Sequence, residues 1–248
     1  MELSTPADAG IVRNAADRRA LDRRFYSGMA IAGIVTVLIG FGRTYYQRGF
    51  TEGNSLAALV HVHGAVFLAW MVLLIVQTRL VATKRIATHK RVGYAGLALA
   101  ALMLILGYLT AIAAARRGFN AGAGAFADAL AFMAVTLGDL LIFAVLVALA
   151  VVYRRRAEVH KRLMLLATIG ALLPAAISRL PFVTGNVPAI VGVTIAFLAA
   201  GPIFDLWTRR RIHPVYAWGV PIIFALMPIR IAIGATPWWH TFTAWLTR

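Results

Sequence analysis

The sequence predicts an all-α polytopic membrane protein: a bundle of seven transmembrane helices, N-terminus in the cytoplasm and C-terminus outside. Three observations carry that expectation. Of 248 residues 61% are apolar, at a mean hydropathy of +0.79, more than a soluble domain can hide behind a polar exterior. Charged residues make up only 14% and are bunched into short runs between long apolar stretches. Lysine and arginine fall overwhelmingly on alternate connections, as they do in inserted helical bundles.

About 20 apolar residues are needed to cross ~30 Å of hydrocarbon as a helix. Seven runs meet that length, at 25–42, 56–78, 93–114, 129–152, 163–182, 187–207 and 215–234. They lack the alternation of barrel strands and are twice as long as such strands need to be. Ahead of the first run, residues 1–24 form a polar, basic tail without an apolar centre, so the run from Phe25 reads as a retained span rather than a cleaved signal. RTYYQRGFTEGNS separates the first two spans, KRIATHKR the next, ARRGFNAGAG the third and YRRRAEVHKR the fourth. Thr184-Gly185-Asn186 and WTRRRIHP complete the set. The transmembrane domain thus covers 25–236. The remaining 237–248 place Trp238, Trp239, Phe242 and Trp245 at helical spacing, an interfacial helix in the outer aromatic belt.

Orientation follows from the basic residues. With the N-terminus inside, the tail, 79–91, 154–162 and 209–211 hold eighteen of the 25. The opposite side holds five: Arg43, Arg48, Arg116, Arg117 and Arg248. Arg179 and Arg230 lie within spans. This topology accounts for the net charge of +16 better than nucleic acid does, because a nucleic-acid binder carries its basic stripe on a soluble fold. The expected partner is the lipid bilayer. The absence of cysteine excludes disulfides, thiolate metal sites, iron–sulfur clusters and covalently attached c-type haem. No Walker loop, dinucleotide fingerprint or G-x-S-x-G elbow occurs, which removes the commonest enzyme readings. Neither H-x-x-x-H nor H-E-x-x-H occurs, so no metal-ion site is assigned.

Two clusters are candidates for function. The first rests on a repeat. Arg85 to Arg91 and Arg156 to Arg162 both read R-x-x-x-H-K-R, each opening an outward-running span, 71 residues apart. The spacing suggests that spans 2–3 and 4–5 are related hairpins. It sets His89 and His160 at matching heights, the arrangement that axial ligands of a b-type haem require, with His213 as a further possibility. The bland alternative is a pair of interfacial anchors facing anionic lipid. The second cluster consists of His63, Gln77, Asp139 and Arg179. His63, Phe67, Trp70, Leu74 and Gln77 share one face of the second span, whereas His61 points ~200° away at about 100° per residue. An aspartate within a span is a functional candidate by default, so His63, Asp139 and Arg179 suggest an outer polar site for an anionic or quinone-like ligand, or a proton relay. The alternative is structural, with Asp139 as counter-ion to Arg179 and Asp128 as a rival partner.

The run H-x-H-G-x-x-F-x-x-W from His61 to Trp70, followed by Gln77, H-K-R at His89, H-K-R-L-M at His160–Met164 and Arg179, resembles a bacterial family of predicted multi-span membrane proteins of unknown function. The resemblance covers about 61–180 and implies location in the bacterial cytoplasmic (inner) membrane. More loosely the chain is similar to cytochrome b561-type bundles, in which histidines on four successive spans hold two haems. Here span four offers Asp139 and no histidine, so that likeness implies at most one haem, at His89 and His160. The expectation is therefore a haem-binding or redox-linked membrane protein. A transporter or sensor using the outer polar site, or a cofactor-free scaffold, are the alternatives.

Overall fold

The computed structural model describes residues 15–47, 57–120 and 126–248. Residues 1–14 of the expected tail, the tip of the first connection with Arg48 and part of the third connection lie outside the described residues. Among those described the chain is helical, with seven helices long and apolar enough to cross a membrane. They are α1 (Ala15–Phe41, running into a π-helical turn at Gly42–Gln47), α2 (Ala58–Ala82), α3 (Ile86–Arg116) and α4 (Ala129–Val152). α5 (Ala157–Ile177), α6 (Val187–Arg209) and α7 (Pro214–Gly234) follow, and the short α8 (Pro237–Leu246) closes the chain.

The polar breaks between spans start the next helix. Asp128 accepts from the Ala131 N–H at 2.8 Å, Asn186 from Ala189 at 3.0 Å, and Thr236 from Trp239 at 3.2 Å, each satisfying an amide left without a partner in the first turn. Pro188, Pro214 and Pro237 stand in first turns, where a missing N–H costs nothing.

The fifth span departs most from expectation. It begins at Ala157, six residues before the predicted 163, because the charged turn that opens it is itself helical and finds partners inside the bundle. At Ala167–Leu172 it widens into a π-helical segment whose first five residues are all buried, and it ends at Ile177 rather than 182. Hydrogen-bonded turns from Ser178 to Thr184 replace its expected last turn.

Lipid tails are as apolar as leucine, so helices associate in membranes by close packing rather than by the hydrophobic effect. Glycines supply the close approaches. A Cβ at Gly40 would strike the backbone of Ala176, and one at Gly234 would lie 2.6 Å from the Ala131 carbonyl. Gly201 makes room for the Tyr216 ring. α4 is central, packing against α3, α5, α7 and α8, while α1 lies against α2 and the end of α5. The core gathers Trp70, Met103, Phe143, Leu166 and Tyr216, and the Trp70 indole donates to Thr168 at 3.2 Å. α8 is tied down by Trp239, whose indole donates to the Leu130 carbonyl at 2.9 Å, and by Arg116, which donates to the carbonyls of Thr247 and Arg248. Leu141, Ile203, Trp218 and other large apolar side chains point outward, the surface that meets the bilayer.

Candidate functional site

The repeat R-x-x-x-H-K-R is a helix start in both copies. Arg85 and Arg156 occupy the cap position of α3 and α5, and the His89 and His160 amides donate back to their carbonyls at 3.0 and 2.9 Å. The two histidines therefore hold equivalent places in their first turns. Their rings meet, 6.3 Å between centroids and nearly perpendicular. His160 Nδ1 lies 2.8 Å from the carbonyl oxygen of Ala150 near the end of α4. A carbonyl only accepts, so Nδ1 is the donor of that bond. Among the described residues, His89 Nδ1 is buried without a hydrogen-bond partner, and so is Oε1 of Gln77. Gln77 settles over Gly93, one turn beyond His89: a Cβ there would lie 3.8 Å from its Nε2. His213 is engaged elsewhere, as the cap of α7, its Nδ1 accepting from the Val215 N–H at 3.2 Å. Burial first, and then the charge of Arg162, hold its imidazole below the usual range, which suits an acceptor.

The rest of the second copy builds something absent from the first. Lys90 and Arg91 are exposed, whereas Arg162 is completely buried. Its guanidinium grips the equally buried Asp205 of α6, Nε to Oδ2 at 3.0 Å and Nη2 to Oδ1 at 2.5 Å, and also reaches Glu158 at 2.7 Å. Arg209 bonds both oxygens of Asp22 on α1, at 2.7 and 2.8 Å, and Asp205 at 3.3 Å. Lys161 completes the set on Asp22 and Glu158, at 2.7 and 2.6 Å. Asp22, Glu158 and Asp205 thus balance Lys161, Arg162 and Arg209, joining α1, α5 and α6. The network was not anticipated. Asp205 within an apolar run was its one signal in the sequence.

The four residues grouped by sequence separate. Asp139 pairs with Arg230 of α7, not with Arg179. Gly138 allows this, since a Cβ there would sit 2.5 Å from the Arg230 Cδ. Asp128 is no partner of Arg179 either: besides capping α4 it meets His240 at 3.2 Å. Gln77 lies at the far end of α2 from His63. His63 and Arg179 do share a region. The His63 ring stacks on Phe67, centroids 4.1 Å apart, faces the Leu106 carbonyl and feels the charge of Arg179. Among the described residues its buried Nδ1 has no hydrogen-bond partner, nor does the hydroxyl of Thr110, one turn beyond Leu106 in sequence. Arg179, in the turns after α5, donates to the Ala175 carbonyl at 2.5 Å and lies over the rings of Phe41 and Phe119, at 5.0 and 6.0 Å. On the flank, α2 and α3 leave an open apolar groove of about 610 Å³ along Leu68, Val72 and Leu99.

No family of known proteins, no curated protein and no solved structure matches this chain.

Proposed function

We propose that this multi-pass protein, inserted in a bacterial cytoplasmic membrane with its N-terminus inside, binds one b-type haem between His89 and His160 and serves in electron transfer. The observation that carries the reading is the meeting of the two rings. Imidazoles ligating one ion from opposite sides, with metal–nitrogen bonds of about 2 Å, stand about 6 Å apart between centroids, and these stand at 6.3 Å. The bond from His160 Nδ1 to Ala150 is the outer contact that ligating histidines usually make, fixing the tautomer and aiming the other nitrogen. His89 lacks its counterpart, and the unpartnered Oε1 of Gln77 is the acceptor nearest in chemistry to complete it. Gln77 is thus the positioning residue. Lys90 and Arg91, exposed beside His89, suit the propionates.

If haem is bound there it would supply one-electron redox chemistry, with His89 and His160 holding it, Gln77 orienting His89, and Lys90 and Arg91 supplying counter-charge. One haem rather than two is the reading, since α4 carries Asp139 and no histidine. Eighteen basic residues against five support the orientation.

The test is the optical spectrum of protein purified in detergent from cells supplied with a haem precursor. A Soret band that shifts on dithionite reduction is expected. His89→Ala and His160→Ala each abolish or shift it, because the loss of an axial ligand changes iron coordination. Gln77→Leu retains the band with an altered potential. A colourless wild-type protein refutes the reading.

A further inference from the structure

The two copies of R-x-x-x-H-K-R treat their cations differently. In the second, Lys161 and Arg162 are matched by Asp22, Glu158 and Asp205. Around the first, residues 79–91 hold Arg79, Lys84, Arg85, Lys90 and Arg91 and no acidic residue. All five are exposed, and none forms an ion pair among the described residues.

Two of these cations stand at one end of the apolar groove between α2 and α3. On α2 the groove follows Ala65, Ala69, Val72 and Val76, a single stripe of the helix, and Arg79 is the next position on that stripe. On α3 it follows Leu99 and Ala95, and Arg91 comes one turn further on. Packing sets the two arginines at one height. A Cβ at Gly93 would lie 3.8 Å from Gln77 Nε2, and one at Gly96 3.0 Å from Leu73 Cδ2. The antiparallel register that faces Gln77 with Gly93 also faces Arg79 with Arg91.

Length and charge together describe the occupant. At 1.5 Å per residue the stretch from Ala65 to Val76 measures about 16 Å, close to half of a hydrocarbon core about 30 Å thick. The groove is therefore one leaflet deep, apolar along its course and doubly cationic where it meets the head groups. A guanidinium offers a planar fork matched to phosphate oxygens, and basic pockets between helices at the membrane surface hold anionic head groups. A second copy of this chain is a poor fit: seated on the same groove it brings its own Arg79 and Arg91 to the same depth, four like charges together.

We propose that the α2–α3 groove binds one anionic phospholipid, its acyl chain along Ala69 and Val72 and its phosphate between Arg79 and Arg91. Arg91 also stands among the cations assigned to the haem propionates, whereas Arg79 does not. The test is made on Arg79 and needs no optical band, so this proposal and the haem reading stand or fall separately.

The experiment is native mass spectrometry of the full chain released from detergent containing phosphatidylglycerol and phosphatidylcholine in equal amounts. Wild type retains one phosphatidylglycerol, bound about 30-fold more tightly than phosphatidylcholine, the worth of two cations near the membrane surface. Arg79→Gln reduces that preference to about 5-fold. Arg154→Gln, which removes an equal charge from an exposed position after α4, leaves it unchanged. Ala69→Phe fills the groove and abolishes retention of the lipid. Equal binding of the two lipids by wild type overturns the proposal, as does a preference that survives Arg79→Gln or falls equally in Arg154→Gln. Should Arg79→Gln fail to accumulate, Ala69→Phe decides: phosphatidylglycerol retained as in wild type overturns the site. A dimer that Ala69→Phe dissolves gives the groove to a second copy and overturns it too.

Discussion

Replacing Asp205 by Asn keeps the shape of the side chain and removes one negative charge from the interior. In the native bundle its two oxygens accept from Arg162 twice, at 3.0 and 2.5 Å, from Arg209 at 3.3 Å and from the His213 amide at 3.2 Å. Arg162 is wholly buried, so losing Asp205 leaves its charge facing only Glu158, which is half exposed. Stranding one member of a buried pair costs about 3–5 kcal/mol. For a chain of roughly this size each kcal/mol moves the unfolding midpoint by roughly 2–4 °C, so Asp205→Asn lowers it by ~6–20 °C. Arg162→Met costs less, because Asp205 keeps Arg209 and the His213 amide. The double mutant melts above Asp205→Asn alone, since the stranded cation has gone with its partner. Fluorescence-detected melting of the three variants in one detergent measures all of this. A midpoint for Asp205→Asn within about 3 °C of wild type refutes the reasoning, and so does a double mutant whose loss equals the sum of the singles.

Three further outcomes are expected. Cysteines introduced at Thr88 and Arg211 are shielded from impermeant thiol reagents in intact cells while those at Arg117 and Thr184 label, against a background free of native cysteine; the reverse pattern inverts the topology. Gly234→Ala forces a methyl onto the Ala131 carbonyl and destabilises by about 1–3 kcal/mol, whereas Gly28→Ala, with nothing within 4 Å, is neutral or stabilising in the same melt. Asp128→Ala loses the cap of α4, worth about 1 kcal/mol. The Ala131 amide, aided by His240, holds the Asp128 carboxyl below its ordinary range, so the group binds its proton more weakly folded than unfolded. Its contribution is present above pH ~4 and is lost as the pH falls further. The gap between mutant and wild-type midpoints therefore narrows in acid.

The spans were legible because bilayer thickness imposes a length that composition alone reveals. The pairing of His89 with His160 followed from a repeat, which fixes equal heights without any knowledge of packing. Partner choice among buried charges was not legible. Asp139 and Arg230 are 91 residues apart in sequence, and what brings them together is the packing of α4 on α7 past Gly138. The start of α5 was placed too late because apolar runs were the criterion, whereas a charged turn can be helical and buried when its charges are matched from other helices. Those matches, Asp22 and Asp205, lie on spans 1 and 6.

That arrangement bears on biogenesis. α5 is the least apolar of the seven spans and the most buried, with 67% of its membrane-crossing window enclosed against at most 28% in any other. A translocon releasing α5 alone would present Lys161, Arg162 and the widened π-helical segment to lipid. Asp22 has emerged long before, but Asp205 is synthesised 43 residues after Arg162. The buried counter-charge of the fifth span is therefore supplied only once the sixth has been made.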